Sequence, residues 1–224
     1  MAPYAYALRK AIFDTGIYGS SAHSLTKQHD ASQLLELIND QLGNHFTYQT
    51  IRSVPGENIK KVKTDPMGAL QIPIETKPND APIKFQEYCD RVFETTHIDD
   101  PDNALKVEEG SKTNFYPKYD EAIQMGGPPP SHLVIQLKRF EWFGAGGGKI
   151  GTLVELPEDH IVDLSKAFKE AKIDNVRYKV VAAVHHGGGL GGGHYKAFVE
   201  KAGQWHTAND SQVYPPGNID YELA

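Results

Sequence analysis

The sequence is poor in the features that mark disulfide-bonded, membrane-spanning and nucleic-acid-binding proteins. It contains one cysteine, Cys89, and a single thiol cannot form an intramolecular disulfide or complete a cysteine-based zinc site. It has no run of about 18 apolar residues and does not begin with a basic region followed by an apolar run. Clustered Lys and Arg are also absent, and the net charge is -6. We therefore expect a soluble monomer that binds neither nucleic acid nor membrane.

The cysteine usage also bears on the compartment. A chain without disulfides fits a reducing environment. We expect the cytoplasm or the nucleus or, for a microbial protein, delivery into a host cell.

The elements that the sequence does indicate favour one α+β domain over residues 1–224. The chain is 39% hydrophobic, which suffices for a sizeable core. Apolar spacing and capping residues predict three helices, over residues 4–13, 30–42 and 83–93. Strand-like segments cover residues 132–140, 179–185, 194–199 and 204–207, and the glycine-dense residues 144–148 and 187–193 are predicted to be loops within the sheet. Helices followed by strands, without regular alternation, predict N-terminal helices packed on a C-terminal antiparallel sheet.

The second helix has the strongest local signals. Asp30 is a natural N-cap, and Gly43 suits the position after the helix end. The residues on its apolar face are Leu34, Leu35, Ile38 and Leu42.

One histidine lies where catalysis is chemically reasonable. His194 follows Gly192 and Gly193 and opens a predicted strand, and Asn209 and Asp210 come fifteen and sixteen residues later. A hairpin can return these residues to His194. An imidazole can act as general base, and a carboxamide or carboxylate can accept its Nδ1–H and fix the tautomer. The spacing alone also fits ordinary turn residues, because Asn, Asp and Ser are common in turns.

Two alternatives use the same region differently. His185, His186 and His194 are three imidazoles within ten residues, a set that could bind zinc. A glycine-rich segment would lose much entropy on closing around an ion, and no carboxylate lies nearby in sequence. Neither glycine patch has the Gly-Lys-Ser/Thr pattern of a phosphate-binding loop. We therefore expect neither a metal nor another cofactor.

Four segments resemble the ubiquitin-specific protease family, in the family's order. Residues 193–195 and 205–213 resemble its histidine box, and residues 132–140 resemble its strand ending in Leu-Lys-Arg-Phe. Residues 149–157 resemble the Lys-to-Phe-Pro segment that follows, with Leu156 in place of the usual phenylalanine. Residues 28–31 resemble the Gln-Gln-Asp-Ala element, with histidine as the second residue. The four segments are short, but they are spread in order over nearly the whole chain, from residue 28 to residue 213.

The resemblance implies a papain-like fold of thumb (1–50), fingers-like region (51–127) and palm (128–224), with ubiquitin or a ubiquitin-like modifier as partner. It implies that His194 is the general base, Asn209 its orienting partner and Asp210 a polar group near the oxyanion. It also implies that five residues bind ubiquitin: Gln28, Asp30, Gly192, Gly193 and Tyr195. Among these, Asp30 would pair with an arginine of the ubiquitin tail.

The nucleophile of this family has no counterpart here. Alignment of Tyr4, Ala7 and Leu8 with the family's cysteine box places Pro3 at the cysteine position. Cys89 lies in a predicted helix beside Asp90, which does not favour a thiolate. We therefore expect a deubiquitinase-type domain, built for thiol-dependent hydrolysis after ubiquitin's C-terminal glycine, that is inactive as this chain. A truncated or altered enzyme and a natural, non-catalytic ubiquitin-binding pseudoenzyme both remain open.

Overall fold

Strands make up most of the chain for which the computed structural model describes the conformation. The described residues are 35, 38–39, 43, 46–77, 81–143, 146–189 and 192–216. They belong to two compact units, one containing the described residues from 35 to 180 and the other those from 181 to 216. The single-domain prediction for residues 1–224 stays a prediction.

The larger unit contains fourteen short strands, an α-helix and a 3₁₀ helix within its described residues. The strands are β1 (Phe46–Ser53), β2 (Lys60–Met67), β3 (Leu70–Pro73), β4 (Ile83–Lys84), β5 (Thr96–Asp99), β6 (Leu105–Glu109), β7 (Lys112–Tyr116), β8 (Lys118–Gly126), β9 (Ile135–Lys138), β10 (Phe140–Phe143), β11 (Gly146–Lys149), β12 (Val154–Glu155), β13 (Ile161–Asp163) and β14 (Arg177–Lys179). The α-helix is α1 (Phe85–Val92), and the 3₁₀ helix is Ser165–Phe168.

Four strands between residues 46 and 126 form an antiparallel sheet in the order β2-β1-β8-β5. β2 forms one edge and contains Pro66, which is compatible with an edge position because proline has no N–H to donate. A small apolar cluster attaches the β6–β7 hairpin to this sheet, through Val54, Leu105, Val107 and Tyr119. The hairpin is therefore held by apolar packing and by a hydrogen bond from Lys61 Nζ of β2 to the Lys106 carbonyl oxygen of β6, at 2.6 Å.

The main core of the larger unit forms around α1. The helix buries Phe85, Tyr88 and Cys89 on one face, which matches the i, i+3, i+4 spacing of an amphipathic helix. The predicted helix over 83–93 begins two residues too early, because Ile83 and Lys84 pair in parallel with β12. That pairing is non-local and has no signal in the helical pattern. Phe168 is fully buried in the same core.

The Leu-Lys-Arg-Phe motif contains the end of one strand and the start of the next. The predicted strand over 132–140 is divided into β9 and β10 at Arg139. The Arg139 guanidinium donates to the carbonyl oxygens of Ile150, at 3.1 Å, and Thr152, at 2.8 Å. The backbone N–H of Ile150 donates to the Arg139 carbonyl in return, at 2.6 Å. Burial lowers the pKa of Arg139. This arginine therefore closes the base of the β10–β11 hairpin.

The second unit contains an antiparallel meander, which we call the C-terminal sheet. Its strands, in spatial order, are β15 (Ala182–Gly189), β16 (Gly192–Lys201), β17 (Gln204–Asn209) and β18 (Gln212–Val213). The predicted strands over 194–199 and 204–207 lie inside β16 and β17 and are confirmed. The predicted strand over 179–185 is interrupted at residues 180 and 181, between β14 and β15.

The prediction that both glycine-dense segments are loops is wrong. Residues 187–189 and 192–193 continue β15 and β16, and residues 146–148 belong to β11. Strand pairing uses backbone groups, which glycine supplies as well as any other residue. Residues 144–145 and 190–191 lie outside the described residues.

The predicted helices fare unevenly. The helix over 4–13 lies outside the described residues, and Leu35, Ile38 and Asn39 are helical, as the prediction for 30–42 requires. Within the described residues α1 is the one α-helix whose first and last residues are both described. The described chain is therefore richer in sheet than predicted. No helix in this part of the chain is long and apolar enough to cross a membrane.

Truncation of the Phe168 side chain tests this account of the core. Phe168→Ala should reduce the free energy of unfolding by about 3–5 kcal/mol, because the substitution leaves a cavity in packed surroundings. Phe115→Ala is the control, since Phe115 is 64% exposed, and should change it by less than about 0.5 kcal/mol. Urea unfolding monitored by circular dichroism measures both. Equal losses would contradict the assignment of Phe168 to the core.

Candidate active site

His194 lies on a part of β16 that projects beyond β17. β16 pairs with β15 from Gly192 onward, but its pairing with β17 begins only at Ala197. The His194 side chain is exposed. The imidazole is therefore accessible to a bound molecule, while the main chain of His194 is held by strand pairing with β15.

The pairing of β16 with β17 brings Asn209 to His194. Ala197 pairs with Ala208, and continuation of this register places Asn209 opposite Lys196, on the same face as His194. His194 Nε2 lies 2.5 Å from Asn209 Oδ1. Because a carboxamide oxygen only accepts, Nε2 carries the proton in this hydrogen bond. The hydrogen bond that the sequence predicted is present, but it uses Nε2 and not Nδ1.

The choice of nitrogen has a chemical consequence. With Nε2 protonated and bonded to Asn209, Nδ1 is the basic nitrogen of a neutral imidazole. Among the described residues, Nδ1 of His194 is not engaged in a hydrogen bond. In the neutral tautomer protonated at Nε2, Nδ1 is therefore the nitrogen that can accept a proton from an approaching acid.

The other residues predicted for this site are placed as follows. Asp210 is exposed in the turn between β17 and β18, with φ 53°, and no hydrogen bond joins it to His194 within the described residues. Gly192 and Gly193 are exposed residues of β16, and Tyr195 is half-buried. Pro3, Gln28 and Asp30 lie outside the described residues.

The sheet separates the three histidines of the proposed zinc set. Consecutive residues of a strand point to opposite faces. His185 therefore shares a face with His194, whereas His186, which pairs with Tyr195, lies on the other face. Within the described chain, no group of three His, Cys, Asp or Glu side chains converges in a way that could hold a metal ion. The geometry thus contradicts a site built from all three imidazoles.

One known family matches most of this chain. The family described as ubiquitin carboxyl-terminal hydrolase matches residues 16–219, a range that contains His194, Asn209 and the Leu-Lys-Arg-Phe motif. The chain belongs to this family. Its members include the ubiquitin-specific proteases, so the resemblance drawn from the four sequence segments is confirmed.

Individual relatives match over shorter stretches. Human ubiquitin carboxyl-terminal hydrolase 15 is 30% identical over 145 residues, which is 62% of this chain and 14% of the human protein. Arabidopsis thaliana ubiquitin carboxyl-terminal hydrolase 9 is 40% identical over 86 residues, 38% of this chain and 9% of the plant protein. The matched part is therefore a small fraction of each curated relative.

Solved structures show the same fold. A chain of the SAGA DUB module with Ubp8, Sgf11, Sus1 and Sgf73, bound to monoubiquitin, matches with a TM-score of 0.69 and 23% identity, over 85% of this chain and 45% of that one. The same module bound to ubiquitin aldehyde matches with a TM-score of 0.67 and 22% identity, over 85% and 46%. This member of the ubiquitin carboxyl-terminal hydrolase family thus has the papain-like fold of those domains, over less than half of their length.

Cys89 is poorly suited to serve as this family member's nucleophile. The thiol is completely buried in the core of the larger unit. Burial raises its pKa to about 12, and the nearby Asp90 carboxylate adds to the increase. A catalytic thiol needs the opposite environment, with access to substrate and a lowered pKa. No second cysteine exists in the sequence.

The reactivity of this thiol can be measured directly. At pH 8 a thiol with a pKa of about 12 is ionised in roughly one molecule in ten thousand, so native Cys89 should react with Ellman's reagent about 100-fold or more slowly than free cysteine. The same protein unfolded in guanidinium chloride is the control and should react at the free-cysteine rate. Rapid labelling of the native protein would show that Cys89 is accessible.

Proposed function

We propose that this chain is a ubiquitin-binding, deubiquitinase-type domain that carries the imidazole and carboxamide of a thiol hydrolase but does not hydrolyse ubiquitin conjugates by itself. The observation that carries the proposal is the 2.5 Å hydrogen bond between His194 Nε2 and Asn209 Oδ1. Membership of the ubiquitin carboxyl-terminal hydrolase family supports the reaction class.

The geometry fits the proton transfers of such a reaction. Nδ1 of His194 would accept the proton of a thiol, whose sulfur then attacks the carbonyl carbon of ubiquitin's C-terminal glycine. The resulting imidazolium would be oriented by Asn209, and it would return the proton to the leaving amine. Water would then release ubiquitin from the acyl intermediate by the same route. Asp210 is proposed to lie near the oxyanion.

Ubiquitin, or a closely similar modifier, is the proposed partner. Two solved modules that share this fold are bound to monoubiquitin and to ubiquitin aldehyde. We propose that Gln28, Asp30 and the glycine end of the β15–β16 hairpin, with Gly192, Gly193 and Tyr195, contact the extended ubiquitin tail. Exposed glycines favour this assignment because an extended peptide can approach their backbone closely.

A second candidate is a ubiquitin-binding module that has no catalytic role. It is favoured by the proline at position 3, where the family's cysteine box aligns, and by the buried state of Cys89. Both candidates bind ubiquitin. They differ in whether a thiol placed at position 3 can use His194.

Charge reversal at Asp30 tests the binding part of the proposal. We expect the chain to bind ubiquitin and Asp30→Arg to weaken binding by about tenfold or more, because an ion pair with an arginine of the ubiquitin tail is replaced by repulsion. Isothermal titration calorimetry measures both affinities. Asp102→Arg, an exposed acid of the larger unit, is the matched control and should bind as the unchanged chain does. Equal affinity of Asp30→Arg would remove Asp30 from the interface.

Restoration of a thiol tests the catalytic part. The unchanged chain should not hydrolyse a fluorogenic ubiquitin substrate above the buffer rate, whereas Pro3→Cys in a Cys89→Ser background should be labelled by a ubiquitin suicide probe. His194→Ala in that background should abolish or greatly slow labelling, because the thiol loses its base.

The outcomes of that experiment separate the candidates. Turnover by the unchanged chain that is lost in Cys89→Ser would identify Cys89 as a nucleophile and refute the proposed inactivity. Labelling of Pro3→Cys that does not depend on His194 would refute the role of the imidazole. Ubiquitin binding without labelling of Pro3→Cys would favour the non-catalytic module.

A further inference from the structure

Around His194, the described residues at the end of the β15–β16 hairpin are almost all glycine. The last three residue pairs of the hairpin are Gly187 with His194, Gly188 with Gly193, and Gly189 with Gly192. His194 is thus the one residue in these pairs with a side chain. Glycine-rich strands specify their register weakly, because few side chains distinguish one pairing from the next.

The register of this end matters for the site. A local shift of one residue at this end of β16, with the pairing from Ala197 onward unchanged, would exchange the faces of residues 192–194 and turn the His194 side chain away from Asn209. β17 does not prevent such a slip, because its pairing with β16 begins only at Ala197. In the described chain, backbone pairing at His194 comes from β15 alone. Some feature of β15 must therefore keep the pairing in place.

His186 is the side chain of β15 that lies against Gly193, next to His194. It pairs with Tyr195 across the hairpin, and the two rings have centroids 4.6 Å apart with an interplanar angle of 39°. A Cβ at Gly193 would collide with His186 Nε2 and with the Gly187 carbonyl oxygen. The imidazole therefore lies directly over Gly193, and a residue with a side chain does not fit there without a rearrangement.

These contacts lie immediately before and after His194 in the chain. Gly193 and Tyr195 both present their Cα substituents on the face opposite to the His194 side chain, since alternate strand residues face opposite ways. The His186 ring contacts both of them from that face. A shift of register would place His194 opposite His186 and would break the ring contact with Tyr195.

We propose that His186 is a positioning residue that fixes the register of the glycine end of the hairpin and thereby aims His194 at Asn209. The inference rests on the proposed role of His194 as general base, and it assigns to His186 a task that requires neither metal binding nor contact with substrate. The His186 ring packs on Gly193 and against the Tyr195 ring. These contacts distinguish one strand register from the next, which the remaining glycines do not.

Histidine-selective NMR tests the proposal on the unchanged chain and on His186→Ala. In protein labelled with ¹⁵N-histidine, two-bond ¹H–¹⁵N spectra should show His194 as a single tautomer protonated at Nε2. In His186→Ala we expect a mixture of tautomers or exchange broadening at His194. Amide hydrogen exchange at residues 193–195 should rise by about tenfold or more, while residues 204–208 of β17 stay within about twofold.

Two further variants make the comparison specific. His186→Phe keeps a ring against Tyr195 and should restore the single tautomer and most of the exchange protection. His206→Ala removes an imidazole from the same face of the sheet, in β17, where it pairs with Val199. This control should leave the His194 tautomer and the exchange at residues 193–195 unchanged.

Each alternative result would overturn the inference. An unchanged His194 tautomer and unchanged exchange in His186→Ala would show that His186 does not position the site. Unfolding of the variant, or faster exchange throughout β15–β17, would assign His186 a general role in stability. Failure of His186→Phe to restore the signals would exclude the ring contact as the cause. The NMR measurements need no ubiquitin, so their failure is distinguishable from a failure of the proposed function.

Discussion

The hydrogen bond between His194 and Asn209 depends on the register of the C-terminal sheet. Strand residues alternate between two faces, so the pairing of Ala197 with Ala208 determines that both side chains lie on one side. A different register would separate them even though their spacing in sequence were the same. The chemistry proposed for this chain therefore rests on strand pairing, and the identity of the two side chains becomes useful only because the pairing holds.

The sequence predicted this pair well because the signals for it are local. A short hairpin joins β16 to β17, and both strands have strand-forming residues at the predicted positions. The tautomer was predicted incorrectly, since the sequence does not show which edge of the imidazole faces the next strand. The helix beginning at Phe85 was predicted too long for a similar reason. Ile83 and Lys84 pair with Val154 and Glu155, about seventy residues away, and helical periodicity carries no information about such a partner.

The glycine segments show a different limit of sequence interpretation. Glycine is disfavoured in strands when side-chain packing stabilises them, and residues 187–193 were therefore predicted to be a loop. In the hairpin, the backbone hydrogen bonds and the close approach of facing residues matter more than packing. Gly188 lies against Gly192 and Gly193, at distances that a Cβ would not allow. The sequence identified glycine as important here, but it did not reveal that the reason is close contact between paired strands.

Thiol hydrolysis requires a histidine and a cysteine, and in this chain His194 is exposed whereas Cys89 is buried. The imidazole of His194 is accessible on the projecting part of β16, whereas the thiol of Cys89 is enclosed by the core that α1 helps to form, where its pKa is raised. By residue type alone, Cys89, His194 and Asn209 would be the three residues of a thiol hydrolase. Their environments differ: the histidine and the asparagine form a hydrogen bond in the C-terminal sheet, and the cysteine lies buried in the core of the larger unit.

The glycine end of the hairpin combines two properties: its backbone is open to a bound peptide, and His194 still has a defined position. Without side chains, the backbone beside His194 is open to an extended peptide, but the same absence removes the contacts that hold a strand in register. The ring pair of His186 and Tyr195 lies on the face opposite to the imidazole, so it can restore register without occupying the open face. A bulky residue on the His194 face would give similar rigidity at the expense of access. The arrangement thus places the rigid contacts and the open surface on opposite sides of one two-stranded ribbon.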